Sequence, residues 1–161
     1  MRSFFKFLAF FFMAIAGRLL LMDVEDVFAT WGLTVPDLLP IVGPSSAREA
    51  FESVVAARVQ GTYVQALWTA DVLFPIGLAG MLATLIGNKA QLNLLPVLAA
   101  GMDILGENVA ATLVIQSAAS PDIVWMFVFC HALKWIFIGV SMAVLVVKFA
   151  VWFWRDVVYT F

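Results

Sequence analysis

Four long apolar runs constrain this chain more than any other feature of its sequence. They lie roughly at Phe4–Met22, Tyr63–Gly87, Leu94–Ser117 and Ile123–Val147. Each run is close to the length, about 20 residues, that an α-helix needs to cross the hydrocarbon core of a bilayer. In a chain of 161 residues, four such helices leave little room for a second domain. The sequence therefore predicts an all-α membrane protein, a single four-transmembrane-helix bundle over residues 1–161.

The composition agrees with that fold class. Apolar residues make up 64% of the chain and charged residues 12%, whereas soluble domains have roughly 45–50% and about 25%. Nine Lys and Arg against 11 Asp and Glu give a net charge of −2, and no basic block is present. Nucleic acid is therefore not an expected partner, and the lipid bilayer is.

The distribution of basic residues predicts the direction of the spans. An even number of spans puts both termini on one side of the membrane. Five basic residues lie near the termini or in the second connection, namely Arg2, Lys6, Lys89, Lys148 and Arg155. The first connection, 23–62, carries six carboxylates and only two arginines. By the positive-inside rule we expect an inner or plasma membrane protein with both termini cytoplasmic and the loop at 23–62 outside. The basic, apolar start has the form of a signal peptide, but apolar residues resume after Arg18, so we expect an uncleaved helix.

A short extramembrane amphipathic helix is expected in the outer loop, between the first and second spans. Ser46-Ala47-Arg48-Glu49 has the form of a capping box. Apolar residues follow at helical spacing up to about Gln60: Phe51, Val54, Val55 and Val59. We weigh two roles for this helix, favouring an interfacial helix on the outer membrane surface over a lid above a cavity. At the other end of the chain, aromatic residues beside Arg155 predict an interfacial C-terminus over 148–161.

Five ionisable residues interrupt the last three spans: Asp71, Asp103, Glu107, His131 and Lys134. Such residues are costly in lipid, so they usually face the bundle interior, pair with one another and mark a functional site. At about 1.5 Å per residue from the outer helix ends, four of them lie at roughly 12–17 Å and Asp103 at roughly 21 Å. The sequence therefore predicts one polar layer around a cavity that opens to the outer face.

The short connection between the last two spans predicts how the layer pairs. Helices joined so closely should be antiparallel neighbours, which places Lys134 opposite Glu107 and His131 near Asn108. Asp103 has no obvious cation at its depth. Full ionisation of Asp71, Asp103 and Glu107 would leave excess negative charge in a low-dielectric interior. We therefore expect Asp103 to keep its proton.

Two expectations concern the backbone of the spans. Pro75 removes the hydrogen bond to the carbonyl of Asp71, which predicts a kink and a free backbone acceptor there. Small residues of the third span are expected to let neighbouring backbones approach closely. These residues are Ala99, Ala100, Gly101, Gly106, Ala110 and Ala111.

Seven residues form the candidate site. Glu107, Asp103 and His131 are the candidate catalytic residues, because a buried carboxyl or imidazole can accept and return a proton near neutral pH. The candidate ligand-binding residues are Asp71, Asn108, Lys134 and Thr112. The alternative is structural: a buried Lys134–Glu107 pair can serve only to fix the register of two helices.

Several chemistries are not expected. His131 is the only histidine and Cys130 the only cysteine, so we predict no metal site, no bis-histidine haem and no paired-cysteine quinone chemistry. No phosphate-binding glycine loop or nucleophile motif is present, and no cofactor is predicted. The first span has no acid, unlike that of the small multidrug exporters.

Three functions are compatible with such a layer. The first is a site that binds a small amphipathic, lipid-like molecule and acts on it by acid–base chemistry. The second, weighed almost equally, is an accessory or assembly subunit of a larger membrane complex. The third is a proton-linked carrier, which would be a homo-oligomer because four helices enclose little volume. Whether the protein is an enzyme stays open at this point.

Overall fold

The computed structural model describes residues 2–36, 43–87, 90–117 and 120–155, and its regular elements are all helical. They are α1 (Arg2–Thr30), α2 (Pro44–Ala56), α3 (Gln60–Leu67), α4 (Ala70–Ile86), α5 (Ala90–Gly101), a π-helical segment (Met102–Glu107), α6 (Asn108–Ser117) and α7 (Pro121–Phe153). Four stretches are long and apolar enough to cross a membrane: Ser3–Thr30, Gln60–Ile86, Ala90–Gln116 and Pro121–Phe153. The all-helical fold with four candidate spans is confirmed. Lys89 and parts of the predicted outer loop and C-terminus (37–42 and 156–161) lie outside the described residues.

The first helix is longer than predicted. α1 continues to Thr30 instead of ending near Met22, so the start of the predicted outer loop is helical. Neither glycine nor proline occurs between Arg18 and Thr30, and Arg18 binds the carboxylate of Glu25 two turns further along. The helix ends in a turn at Trp31 and Gly32, and the φ of +67° at Gly32 favours glycine.

The last helix also extends beyond its predicted span. It begins where the Ser120 hydroxyl accepts a hydrogen bond from the backbone N–H of Ile123, and Pro121 occupies the first helical position. Both are typical helix-start features. The helix runs to Phe153 instead of Val147, because no residue in between breaks it. At about 1.5 Å per residue it is roughly 50 Å long.

The predicted capping box of α2 is wrong. The helix begins at Pro44, and Gly43 is its N-cap with no capping side chain. The Ser46 hydroxyl instead donates a hydrogen bond back to the carbonyl of Gly43, 3.1 Å away. Because proline is well suited to the first helical position, it starts the helix three residues earlier than the capping box would. The helix ends at Ala56 and not near Gln60.

An apolar core lies where α2 meets α3, α6 and α7. The ring of Phe51 on α2 contacts Phe127 on α7 edge-on, with centroids 4.9 Å apart, and Tyr63 on α3 at 6.3 Å. Val54 is buried beside them, whereas Val55, predicted for the same face, is 44% exposed. The apolar face of α2 is thus buried against protein, above the end of the helices that carry the polar layer.

The remaining helices pack in chain order. α1 lies along α4, α4 packs against α5, and α5 with the π-helical segment packs against α7. α1 and α4 approach most closely at Gly17 and Gly77, where an added Cβ would lie 2.5 Å from the Phe74 nitrogen and 2.3 Å from the Ala14 nitrogen. Gly101 was predicted to allow a close approach, but an added Cβ there would meet nothing within 4 Å. α1 and α7 flank α4 without packing extensively against each other.

Candidate functional site

Four ionisable side chains form one continuous buried chain of contacts. The Nδ1 atom of His131 lies 2.7 Å from Glu107 Oε1, and the Nζ atom of Lys134 lies 2.6 Å from Glu107 Oε2. The same ammonium donates a 2.8 Å hydrogen bond to Asp103 Oδ1. All four are buried, and Glu107 is fully enclosed. The predicted Lys134–Glu107 pair is confirmed, and the expectation that Asp103 has no cation nearby is wrong.

Both carboxylates lie in the π-helical segment. Its six residues, Met102–Glu107, interrupt an otherwise α-helical third span. Such insertions are rare and frequently occur at functional sites. Asp103 and Glu107, four positions apart in this segment, both reach the single ammonium of Lys134.

Gly106 allows this part of the third span to lie against α7. A Cβ added to Gly106 would lie 2.4 Å from the Sγ atom of Cys130 and 2.9 Å from its Cβ. No side chain larger than hydrogen fits there without displacement. Glu107 follows Gly106 in the sequence, and His131 follows Cys130. The close approach of the two helices therefore also brings the Glu107 carboxylate to the His131 imidazole.

His131 is enclosed by aromatic rings as well as by Glu107. Its ring stacks on Phe127, with centroids 5.9 Å apart, and meets Trp135 edge-on at 6.4 Å. An ionised carboxylate accepts hydrogen bonds only, so Nδ1 donates to Glu107 when that group is charged. The imidazole contacts the carboxylate of Glu107, the residue that precedes Asn108.

A cavity of about 310 Å³ lies beside this chain of contacts. Four charged residues reach its lining, and they are Arg18, Asp71, Asp103 and Lys134. The rest of the wall is apolar and consists of Leu21, Phe74, Pro75, Leu78, Ala79, Leu82, Pro96, Ala99, Ala100, Trp135 and Ile138. The guanidinium of Arg18 is already bound to Glu25. The volume is at the lower end of the range for small-molecule sites, and a mostly apolar wall with a few polar groups is typical of them.

Asn108 and Thr112 lie outside the cavity lining and tie the third span to a break in the second. The second span is interrupted between α3 and α4, at Trp68 and Thr69. The Asn108 side-chain amide donates a 2.8 Å hydrogen bond to the carbonyl of Leu67, the last residue of α3. The indole N–H of Trp68 donates to the Thr112 hydroxyl at 3.0 Å. This break comes before Asp71, whereas the kink was predicted at Asp71 from Pro75, which lies inside α4.

The site therefore divides into two groups. Asp71, Asp103 and Lys134 reach the cavity, whereas Glu107 and His131 lie behind them in the chain of contacts. The aromatic residues and prolines that line the cavity were not predicted from the sequence. One signal was available, since Pro75 and Pro96 interrupt adjacent spans and a helix-interior proline opens the backbone around it.

Neither a metal-binding cluster nor a related protein identifies the chemistry of the site. Within the described residues, no group of three or more His, Cys, Asp and Glu side chains could hold a metal ion. The chain gives no match to protein-family models, to curated proteins or to solved structures. The site must therefore be interpreted from its own geometry.

Substituting Gly106 tests the contact that brings the two helices together. We expect Gly106→Ala to lower the free energy of unfolding by about 1–3 kcal/mol, because the added methyl displaces Cys130 in a packed interface. Adding Cys130→Ala should recover part of the loss by removing Sγ. Gly139→Ala is the matched control, since a Cβ there meets nothing within 4 Å. Denaturant titration in mixed micelles measures the effect, and an equal loss with and without Cys130→Ala would contradict the assignment.

Proposed function

We propose that this is an integral membrane protein whose cavity binds a small amphipathic molecule. One observation carries the proposal: the cavity joins an apolar wall to the charged groups Asp71, Asp103 and Lys134. An apolar chain gains free energy from burial along such a wall, and polar groups at one place fix its orientation. In keeping with the distribution of basic residues, both termini are cytoplasmic and the loop at 23–62 with α2 is outside.

Asp103 is the group best placed for acid–base chemistry on the bound molecule. It reaches the cavity and contacts Lys134 at the same time. Glu107 and His131 continue the chain away from the cavity, so their part is to position Lys134 and to accept or supply the proton that Asp103 exchanges. Asn108 and Thr112, which we predicted as ligand-binding residues, bind Leu67 and Trp68 at the helix break and lie outside the cavity lining.

Tryptophan fluorescence provides the test. A single-chain amphipath brominated on its tail, added to the protein in a neutral detergent, should quench Trp135 from within the cavity. We expect a saturable component of the quenching that Trp135→Phe removes. Trp125→Phe, which alters an exposed ring further along the same helix, should retain that component. Quenching that is unsaturable and equal in both variants would overturn the proposal.

The mass of the purified complex separates the alternatives. In mild detergent, a monomer or dimer carrying a bound lipid-like molecule supports the small-molecule site. A larger protein in fixed stoichiometry would instead favour an accessory subunit docked through α1 or α7. Proton-dependent uptake into vesicles would favour a carrier.

A further inference from the structure

Aromatic rings close the end of the bundle that α2 covers. Four of them are at most 2% exposed, namely Phe28, Phe51, Tyr63 and Phe127. Phe51 contacts Phe127 and Tyr63, and Tyr63 contacts Phe28 with ring centroids 5.8 Å apart. Phe127 also stacks on His131, so this aromatic cluster lies between the polar side chains and that end. A ligand entering there would have to separate closely packed rings, which is costly in a dense interior.

The cavity is exposed instead at its side. Of the residues in its wall, Arg18 on α1 and Trp135 on α7 are exposed, whereas the others are buried or only partly exposed. α4 and α5, which supply most of the wall, pack against each other. In the described part of the chain, α1 and α7 do not pack extensively against each other. The gap between α1 and α7, bordered by Arg18 and Trp135, is therefore the side opening of the cavity.

The side opening lies deep along the helices. From the ends nearest α2, Arg18 is roughly 18 Å along α1 and Trp135 roughly 21 Å along α7. The hydrocarbon core of a bilayer is about 30 Å thick, so an opening near the middle of spanning helices faces lipid tails and not water. Exposed apolar side chains lie beside it, including Leu19 on α1 and Ile136 on α7. A molecule dissolved in the bilayer reaches this opening directly, whereas a water-soluble one would first have to shed the water around its polar groups.

Resting on the proposed function, we infer that the ligand is a membrane-dissolved single-chain lipid that enters sideways between α1 and α7. Its head group then lies beside Asp71, Asp103 and Lys134, and its tail lies along the apolar wall of α4 and α5. A single chain matches the cavity volume of about 310 Å³, which is at the lower end of the range for small-molecule sites. The source of the ligand is thus the hydrocarbon layer of the membrane.

The rates of binding and release test this route, because the route of entry alters kinetics and not affinity. A side chain that narrows an entrance raises the same barrier for entry and exit, so both rates fall by the same factor. Ile138 lines the cavity about one turn from Trp135 on α7, and Ile138→Phe narrows the side opening. Stopped-flow quenching of Trp135 by a tail-brominated single-chain alcohol in neutral detergent measures the two rates. We expect both to fall at least about fivefold, with less than about a twofold change in affinity.

Further variants localise the effect. Ile136→Phe adds the same ring on the exposed side of α7, outside the cavity wall, and should leave both rates unchanged. Arg18→Ala removes a long side chain from the α1 border of the side opening and should raise both rates, whereas Leu19→Ala, at the exposed neighbouring position, should not. Phe51→Leu loosens the aromatic cluster beneath α2 and should leave both rates unchanged, because the ligand does not pass there.

The outcomes separate entry from the side from the existence of the site. Saturable quenching with rates that Ile138→Phe and Arg18→Ala both leave unchanged, or faster binding and release in Phe51→Leu, would overturn the side route and leave the amphipath site standing. A change confined to one of the two rates in Ile138→Phe would show that Ile138 contacts the bound molecule and does not border its entrance, which would also overturn the route. Absence of saturable quenching in the wild type would overturn both proposals.

Discussion

Replacing Lys134 with Met should destabilise the protein by about 3–5 kcal/mol, the largest effect we expect of any single substitution. The ammonium of Lys134 lies 2.6 Å from Glu107 and 2.8 Å from Asp103, and both carboxylates are buried. Removing one partner of a buried ion pair leaves an uncompensated charge, which costs far more than the net gain from forming the pair. The denaturant midpoint in mixed micelles measures the loss.

Two further variants show whether charge is the cause. Lys6→Met removes a lysine at an exposed position of α1 and should change stability by less than about 0.5 kcal/mol. Adding Asp103→Asn and Glu107→Gln to Lys134→Met should recover most of the loss, because neutral groups of similar volume need no ammonium. A loss that persists in the triple variant would point to packing of the lysine stem and not to its charge.

The pairing of the polar layer was largely predictable from depth. Counting residues from the outer helix ends placed Glu107 and Lys134 at similar depths, and the short connection made their helices neighbours. The structure confirms that contact at 2.6 Å. Depth counting failed for Asp103, predicted one turn deeper, because it treats the third span as uniform α-helix and ignores the reach of a flexible lysine stem. The π-helical segment has no sequence signature that helical spacing would show.

The ends of the helices were harder to predict than the presence of the helices. The length of the apolar runs identified all four candidate spans, since crossing length is fixed by the bilayer. The break between α3 and α4 depends on Asn108 reaching across to the carbonyl of Leu67, a contact 41 positions away along the chain. The cavity is likewise the space left between α1, α4, α5 and α7. It depends on how these four helices pack together and not on the sequence of any one of them.

Filling the cavity should weaken binding by about a hundredfold without unfolding the protein. Ala99 lies in the apolar wall and is buried, so Ala99→Phe places a ring where the ligand's tail would lie. The ring would displace about four methylene groups of the tail, each worth about 0.8 kcal/mol of binding free energy. The total loss of about 3 kcal/mol corresponds to an affinity about a hundredfold lower. Native mass spectrometry of the protein with a single-chain amphipath measures the occupancy. Leu105→Phe is the matched control, because Leu105 belongs to the same span and is 72% exposed.

The stability of Ala99→Phe distinguishes a ligand site from imperfect packing. If the cavity is a binding site, the substituted protein should keep its denaturant midpoint in ligand-free detergent. It should also lose the stabilisation that added amphipath gives the wild type, because a ligand stabilises only a state that binds it. If the space is only a packing defect, Ala99→Phe should raise the midpoint, and added amphipath should stabilise neither protein. The two results differ in the response to ligand, so this single comparison decides whether the cavity, and with it Asp71, Asp103 and Lys134, exists for a bound molecule.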